Sequence, residues 1–136
     1  MDSSALQATF ADHFAPWVLA MGLQMDEVKS DSVVLRLPQS PSLSRSGGTL
    51  CGQAMMAAAD TAFVMALIQH FGAFKPCTTV QMSSSFLKPV SNSDALVEAR
   101  VVRAGKTMVF GEIEIRAAND GKAVFRSSVV YALLPL

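Results

Sequence analysis

At 136 residues, 51% of them hydrophobic, the chain suits one compact domain, residues 1–136, with a sizeable core and no room for a second. Eleven Lys and Arg residues balance eleven Asp and Glu residues. The summed charge therefore offers no long-range attraction to nucleic acid or to an anionic membrane, and any anionic ligand must meet local cations.

Ala5, Leu6, Ala8, Phe10 and Phe14 recur at helical spacing behind a serine able to cap the first turn, which predicts a helix over 3–14 that ends at Pro16 and Trp17. The same stretch carries Asp2, Asp12 and His13, so it has neither a basic n-region nor an unbroken apolar h-region, and the expected location is the cytoplasm. Two strands, 18–28 and 32–37, flank Lys29-Ser30-Asp31 and should form a hairpin. Residues 38–48 are rich in Pro, Ser and Gly without a period and read as a loop.

From 52 to 71 the pattern is apolar on all sides with one charge, Asp60, which predicts a buried helix. A membrane span is disfavoured: a central Asp costs about 2.5–3.5 kcal/mol on insertion, and no basic flank orients the segment. After Gly72 the period becomes two, with Val80, Met82 and Phe86 on one strand face and Thr79, Gln81, Ser83 and Ser85 on the other. Strands near 95–103, 107–117 and 122–134 are separated by Gly105-Lys106 and Asn119-Asp120-Gly121, so they should form a meander. This order is that of an α+β protein in which one antiparallel sheet wraps a long apolar helix, the hotdog arrangement. There is no internal repeat or low-complexity tract. Cys51 and Cys77 are too few and too far apart for a disulfide framework or zinc knuckle and read as reduced thiols.

Asp60 is the residue that most requires a reason, because a carboxylate in an apolar helix pays for desolvation unless it is paired or used. It either bonds a nearby loop and fixes the core, or it does chemistry. Gly47-Gly48-Thr49-Leu50-Cys51-Gly52 supports the second reading: glycines ahead of a helix let a ligand approach unpaired N–H groups, which can hold an oxyanion. No nucleophile elbow, P-loop, dinucleotide-binding glycine set or His-x-x-x-His metal pair is present, and His13 and His70 look structural.

Arg45-Ser46-Gly47-Gly48-Thr49-Leu50-Cys51-Gly52-Gln53, followed by Ala59-Asp60-Thr61-Ala62, resembles the helix-start motif of the hotdog-fold acyl-CoA thioesterases of the PaaI-like, phenylacetate-pathway type. That motif reads roughly Asn-x-x-Gly-x-x-His-Gly-Gly and then Ala-Asp-x-Ala. The likeness continues through Thr79-Val80-Gln81-Met82-Ser83-Ser84-Ser85-Phe86-Leu87-Lys88-Pro89 and Arg103-Ala104-Gly105-Lys106, and it covers most of the chain. The resemblance implies that Asp60 is nucleophile or general base, that the Gly52 N–H is the oxyanion donor, and that Thr79 places water or substrate. It further implies that Lys88, Arg103 and Lys106 meet the phosphates of coenzyme A, with Gly48, Cys51 and Gln53 lining the substrate.

Three positions depart from the family pattern: Arg45 stands for Asn or Gln, Cys51 for His, and Gln53 for the second Gly. Arg45 can donate to a thioester carbonyl or grip a carboxylate or phosphate, or it is a solvated loop cation. Cys51 sits where a helix N-terminus acidifies a thiol, and equally where a free Cys packs as a small apolar group.

The expected function is hydrolysis of an acyl-CoA thioester without metal or redox cofactor. The alternatives are an acyl-CoA-binding protein without catalysis and a hydratase, the latter needing a His beside the carboxylate. Met55, Met56, Phe63, Met65 and Phe86 suggest an apolar acyl pocket. Gly52 and Asp60 lie about 12 Å apart on one helix at about 1.5 Å per residue, too far to serve one thioester carbon. The active unit is therefore expected to be a homo-oligomer, a dimer or a dimer of dimers, with the site built from two chains.

Overall fold

The computed structural model describes residues 1–135. Helix α1 (Ser3–His13) is capped by Asp2, whose carboxylate accepts the Ala5 N–H at 2.8 Å, so the cap is an aspartate and not the expected serine. Its charge also complements the helix dipole. Leu6 and Phe10 bury the inner face of α1. The first expected strand starts late: a short helix, α2 (Pro16–Leu19), takes its opening residues, because Pro16 at the first helical position has its φ already set for a turn. Strand β1 (Gln24–Val28) then pairs antiparallel with β2 (Ser32–Leu37) in the expected hairpin.

The stretch read as a loop contains a small ribbon, β3 (Ser44–Arg45) with β4 (Thr49–Leu50). Gly47 (φ 92°) and Gly48 (φ 77°) make its turn in the left-handed region, which other residues enter only with strain. Helix α3 (Gly52–Phe71) has the bounds expected from sequence and stops where Gly72, at φ 77°, donates its N–H to Ile68 C=O at 2.8 Å. Strands β5 (Cys77–Phe86), β6 (Ala95–Ala104), β7 (Met108–Ala117) and β8 (Ala123–Leu133) complete the chain. The six-stranded antiparallel sheet runs β1-β2-β6-β7-β8-β5, so β6, β7 and β8 are the expected meander and the fold is the α+β hotdog arrangement.

Close packing of α3 on the sheet follows from its small residues: Ala58, Ala59, Ala62 and Ala66 are fully buried and let the backbones approach. Phe63 is the exception in size. Its ring fills the space over Gly111 on β7, where a Cβ would lie 1.9 Å from Phe63 Cε1 and 2.8 Å from Arg100 C=O. α3 is long and apolar enough to cross a bilayer, yet 61% of its most apolar window is buried within this fold.

Two further expectations are corrected. α3 is not buried all round: Gln53, Met56, Ala57, Asp60 and Val64 form an open stripe, because the sheet covers one side of the helix and no element among the described residues covers the other. The faces of β5 also differ from strict alternation. Its pairing with β8 shifts register between Thr79 and Gln81, leaving Val80 in a bulge with 55% exposure. One extra residue flips the faces beyond it, so Thr79 and Met82 both look toward α3 while Gln81, Ser83 and Ser85 look out.

The two sheet edges are treated differently. On β1, the Gln7 side chain of α1 accepts the Met25 N–H at 2.9 Å, and α1 covers that edge. On β5, no strand pairs with the outer side among the described residues, and the strand has no charged residue or proline to discourage pairing.

Candidate active site

Asp60 sits half-buried in the middle of the open stripe of α3. Its Oδ1 accepts a hydrogen bond from Thr79 Oγ1 at 2.8 Å and another from the Tyr131 hydroxyl. That hydroxyl also lies 3.0 Å from the Asp60 carbonyl oxygen. A phenol has one proton to give, and the bond to the carboxylate is the charge-assisted one. Tyr131 is buried on the inner face of β8, with its ring 4.8 Å from that of Phe63. Burial, then the Asp60 charge and the bond to it, push the Tyr131 phenol well above its ordinary value. It is therefore a donor at neutral pH. The neighbouring Cys77 thiol is raised by burial and then by Asp60, which keeps it protonated. The other carboxylate oxygen, Oδ2, has no partner among the described residues and is not sealed from solvent.

A second cluster forms at the start of α3. The first intrahelical bond runs from Met55 N–H to Cys51 C=O, so the N–H groups of Gly52, Gln53 and Ala54 have no carbonyl in their own helix. The β3–β4 ribbon is tied to the segment after β5 by Leu50 N–H to Val90 C=O at 2.9 Å and by Thr49 Oγ1 to Ser91 Oγ at 3.0 Å. This linkage places Arg45, Gly52 and Lys88 around one cavity of about 350 Å³. Phe86 lies over Gly52, where a Cβ would stand 3.3 Å from the ring, so a larger residue would crowd the exposed N–H. On the other flank of the helix start, Trp17, Met21, Leu43, Cys51, Ala54 and Ala57 line an apolar cavity of about 330 Å³.

The structure thus joins Asp60 with Thr79, and Gly52 with Arg45 and Lys88, at two separate places on one chain. Cys51 and Gln53 border the apolar cavity. Gly48 lies apart in the ribbon turn, against the Asn92 side chain. Arg103 and Lys106 are exposed at the end of the sheet where Thr79 pairs with Tyr131, whereas Lys88 is at the opposite end, beyond Phe86. Of the residues expected to line an acyl pocket, Met55, Phe63 and Met65 belong to the core, Met56 is on the open stripe, and Phe86 covers Gly52. Phe63 and Met65 therefore serve packing on the sheet, whereas Met55 and Phe86 also line the cavity beside Gly52. His13 stacks on Phe74 at 4.1 Å, and His70 meets Phe71 edge-on at the far end of α3.

Tyr131 was missed from sequence, although a signal existed. Period two in β8 turns Val129 and Tyr131 inward together, and an inward phenol needs an acceptor. The depression of about 460 Å³ on the outer sheet face is lined by Arg100, Glu112, Glu114 and Arg126, whose charges pair with one another. It offers a ligand no unpaired charge from these four side chains.

A family model described as "Thioesterase superfamily" matches residues 47–124, a span that includes Gly52, Asp60, Thr79 and Lys88 and stops short of Tyr131. A curated protein of Saccharolobus solfataricus, named "Putative esterase", is 28% identical over 102 residues, 75% of this chain and 71% of that one. A solved "putative thioesterase" of Silicibacter sp. TM1040 is 26% identical with a TM-score of 0.89, covering 99% of this chain and 93% of that one. A Haemophilus influenzae thioesterase shares the fold at 18% identity and a TM-score of 0.87, covering 100% and 92%.

Proposed function

This chain belongs to the thioesterase superfamily, and on that premise we propose that it hydrolyses an acyl-CoA thioester in the manner of the PaaI-like enzymes. The observation that carries the reading is the Asp60 carboxylate: half-buried on an otherwise apolar helix, held by Thr79, and open at one oxygen. A carboxylate so placed attacks a carbonyl or takes a proton from water that does. In either route the carbonyl π electrons move to oxygen, the Gly52 N–H stabilises the oxyanion, and its collapse expels the thiolate of CoA; water then hydrolyses the acyl–Asp60 anhydride of the first route, and in the second Asp60 passes the proton it took from water to the thiolate.

The cavities flanking the helix start suit the two halves of such a substrate. Arg45 and Lys88 supply cations for the CoA side, and the apolar cavity beside Trp17 supplies room for the acyl group. Arg103 and Lys106 serve the phosphates from the other end of the sheet.

The unit we propose is a homodimer, alone or paired into a tetramer. Gly52 and Asp60 are eight positions apart on α3, about 12 Å along its axis, and so cannot meet one carbon. A two-fold axis that runs the two α3 stripes antiparallel would bring Asp60 of one chain to Gly52 of the other. The bare β5 edge and the exposed Met56 support this pairing, since both would be covered by it. The deciding experiment is thiol release from short, medium, long and aryl acyl-CoAs by the purified protein. Binding of these compounds without turnover would refute the hydrolase and leave an acyl-CoA-binding protein.

A further inference from the structure

We propose that Tyr131 is a positioning residue for Asp60, and that together with Thr79 it holds Oδ1 so that Oδ2 is the oxygen that reacts. The proposal rests on the hydrolase reading above and adds to it a residue that lies beyond the matched family segment.

The argument begins with the number of donors on each oxygen. Oδ1 accepts from Thr79 Oγ1 on β5 and from the Tyr131 hydroxyl on β8, while Oδ2 accepts from nothing among the described residues. Two donors on one oxygen fix the rotation of the carboxylate about its Cβ–Cγ bond and draw negative charge toward Oδ1. The unbonded oxygen is not sealed from solvent, so a substrate can reach it.

The phenol is itself held by packing. Its ring lies against Phe63, which is seated over Gly111 and cannot retreat without meeting β7. Phe63 stands three positions after Asp60 on α3, so the helix that carries the carboxylate also carries the wall behind its donor. The Asp60 carbonyl oxygen lies 3.0 Å from the same hydroxyl and is the alternative acceptor for its one proton. Of the titratable groups around Asp60, Cys77 on β5 and Tyr131 on β8 are both held in their neutral forms, so neither puts a second negative charge beside the carboxylate.

The test uses Tyr131→Phe, which keeps the ring against Phe63 and removes only the hydroxyl. Loss of one charge-assisted hydrogen bond should lower kcat roughly 10- to 100-fold, with KM for acyl-CoA within about twofold of the parent. The split between kcat and KM is the readout, because a merely structural role lowers the amount of active enzyme and its thermal midpoint together, whereas loss of a positioning bond lowers kcat in fully folded enzyme.

A second measurement stands even if the variant folds poorly. Tyr131 is the only tyrosine, so tyrosine isotopically labelled at Cζ gives one resonance in the native protein. That resonance should move between the parent and Asp60→Asn, which puts a neutral acceptor where the charged one stood. A parent that hydrolyses thioesters while Tyr131→Phe retains its kcat overturns this proposal alone, as does a Tyr131 resonance indifferent to Asp60→Asn. A parent that releases no thiol from any acyl-CoA overturns the functional reading instead.

Discussion

Thr79 Oγ1 lies 2.8 Å from Asp60 Oδ1, a contact between residues nineteen apart in sequence that exists because Val80 bulges out of β5. Under strict alternation from Met82, Thr79 would point to the outer face and leave Oδ1 with the phenol alone. The bulge turns the hydroxyl inward at the cost of exposing a valine. We therefore expect Thr79→Val to lower kcat about tenfold and Thr79→Ser to retain most activity, measured as thiol release under saturating acyl-CoA. Equal activity in the two variants would remove Thr79 from the site.

Asp60→Asn and Asp60→Ala should each reduce kcat by about a thousandfold or more, within the range associated with loss of a general base or nucleophile. The thermal midpoint should hold or rise, because a half-buried charge kept for chemistry opposes folding. Near-normal kcat in either variant would exclude the mechanism.

Complementation tests the shared site. Gly52→Val drives a side chain into the Phe86 ring, and Asp60→Ala lacks the carboxylate. Each should be inactive alone. In a randomly exchanged mixture half the dimers are hybrids with one intact site in two, so activity should return to about a quarter of the parent value. Exchange without recovery, or a fully active monomer, would refute the model.

Neutral replacement of Lys88, Arg103 or Lys106 should raise KM for acyl-CoA several-fold and leave KM for an acyl-pantetheine almost unchanged, since only the first substrate carries the nucleotide phosphates. Parallel changes on both substrates would return these residues to the solvated surface.

Asp94 predicts a pH dependence of stability away from the site. Its carboxylate accepts the Gln39 N–H at 2.8 Å and Arg36 Nη1 at 2.9 Å, and these bonds hold it below the ordinary carboxylate range. A depressed folded-state value stabilises above the unfolded one and is lost as pH falls through the folded value. Asp94→Asn should therefore weaken the protein near neutrality by about 1 kcal/mol at most, given the partial exposure of the pair, and flatten the fall in stability on acidification. Chemical denaturation of both proteins across the acid range measures it.

Much of this protein was written locally and could be read from the chain alone. A long, mostly apolar run marked α3, Gly72 stopped it, turn residues delimited the β6–β7–β8 meander, and Asp60 stood out as the single charge in that helix. These features depend on neighbours within a few positions, and periodicity and backbone preference record them directly. What tertiary structure alone decided was which face each residue presented and to whom. The bulge at Val80 reversed the side of Thr79, and sheet order left β5 bare while α1 covered β1. Chain reversal brought Tyr131 to an oxygen seventy-one residues away, and the same packing split Gly52 from Asp60 on one rigid helix. A hydrogen bond between distant strands leaves no period in sequence, because the energy that selects it is gained only when the sheet has closed over the helix.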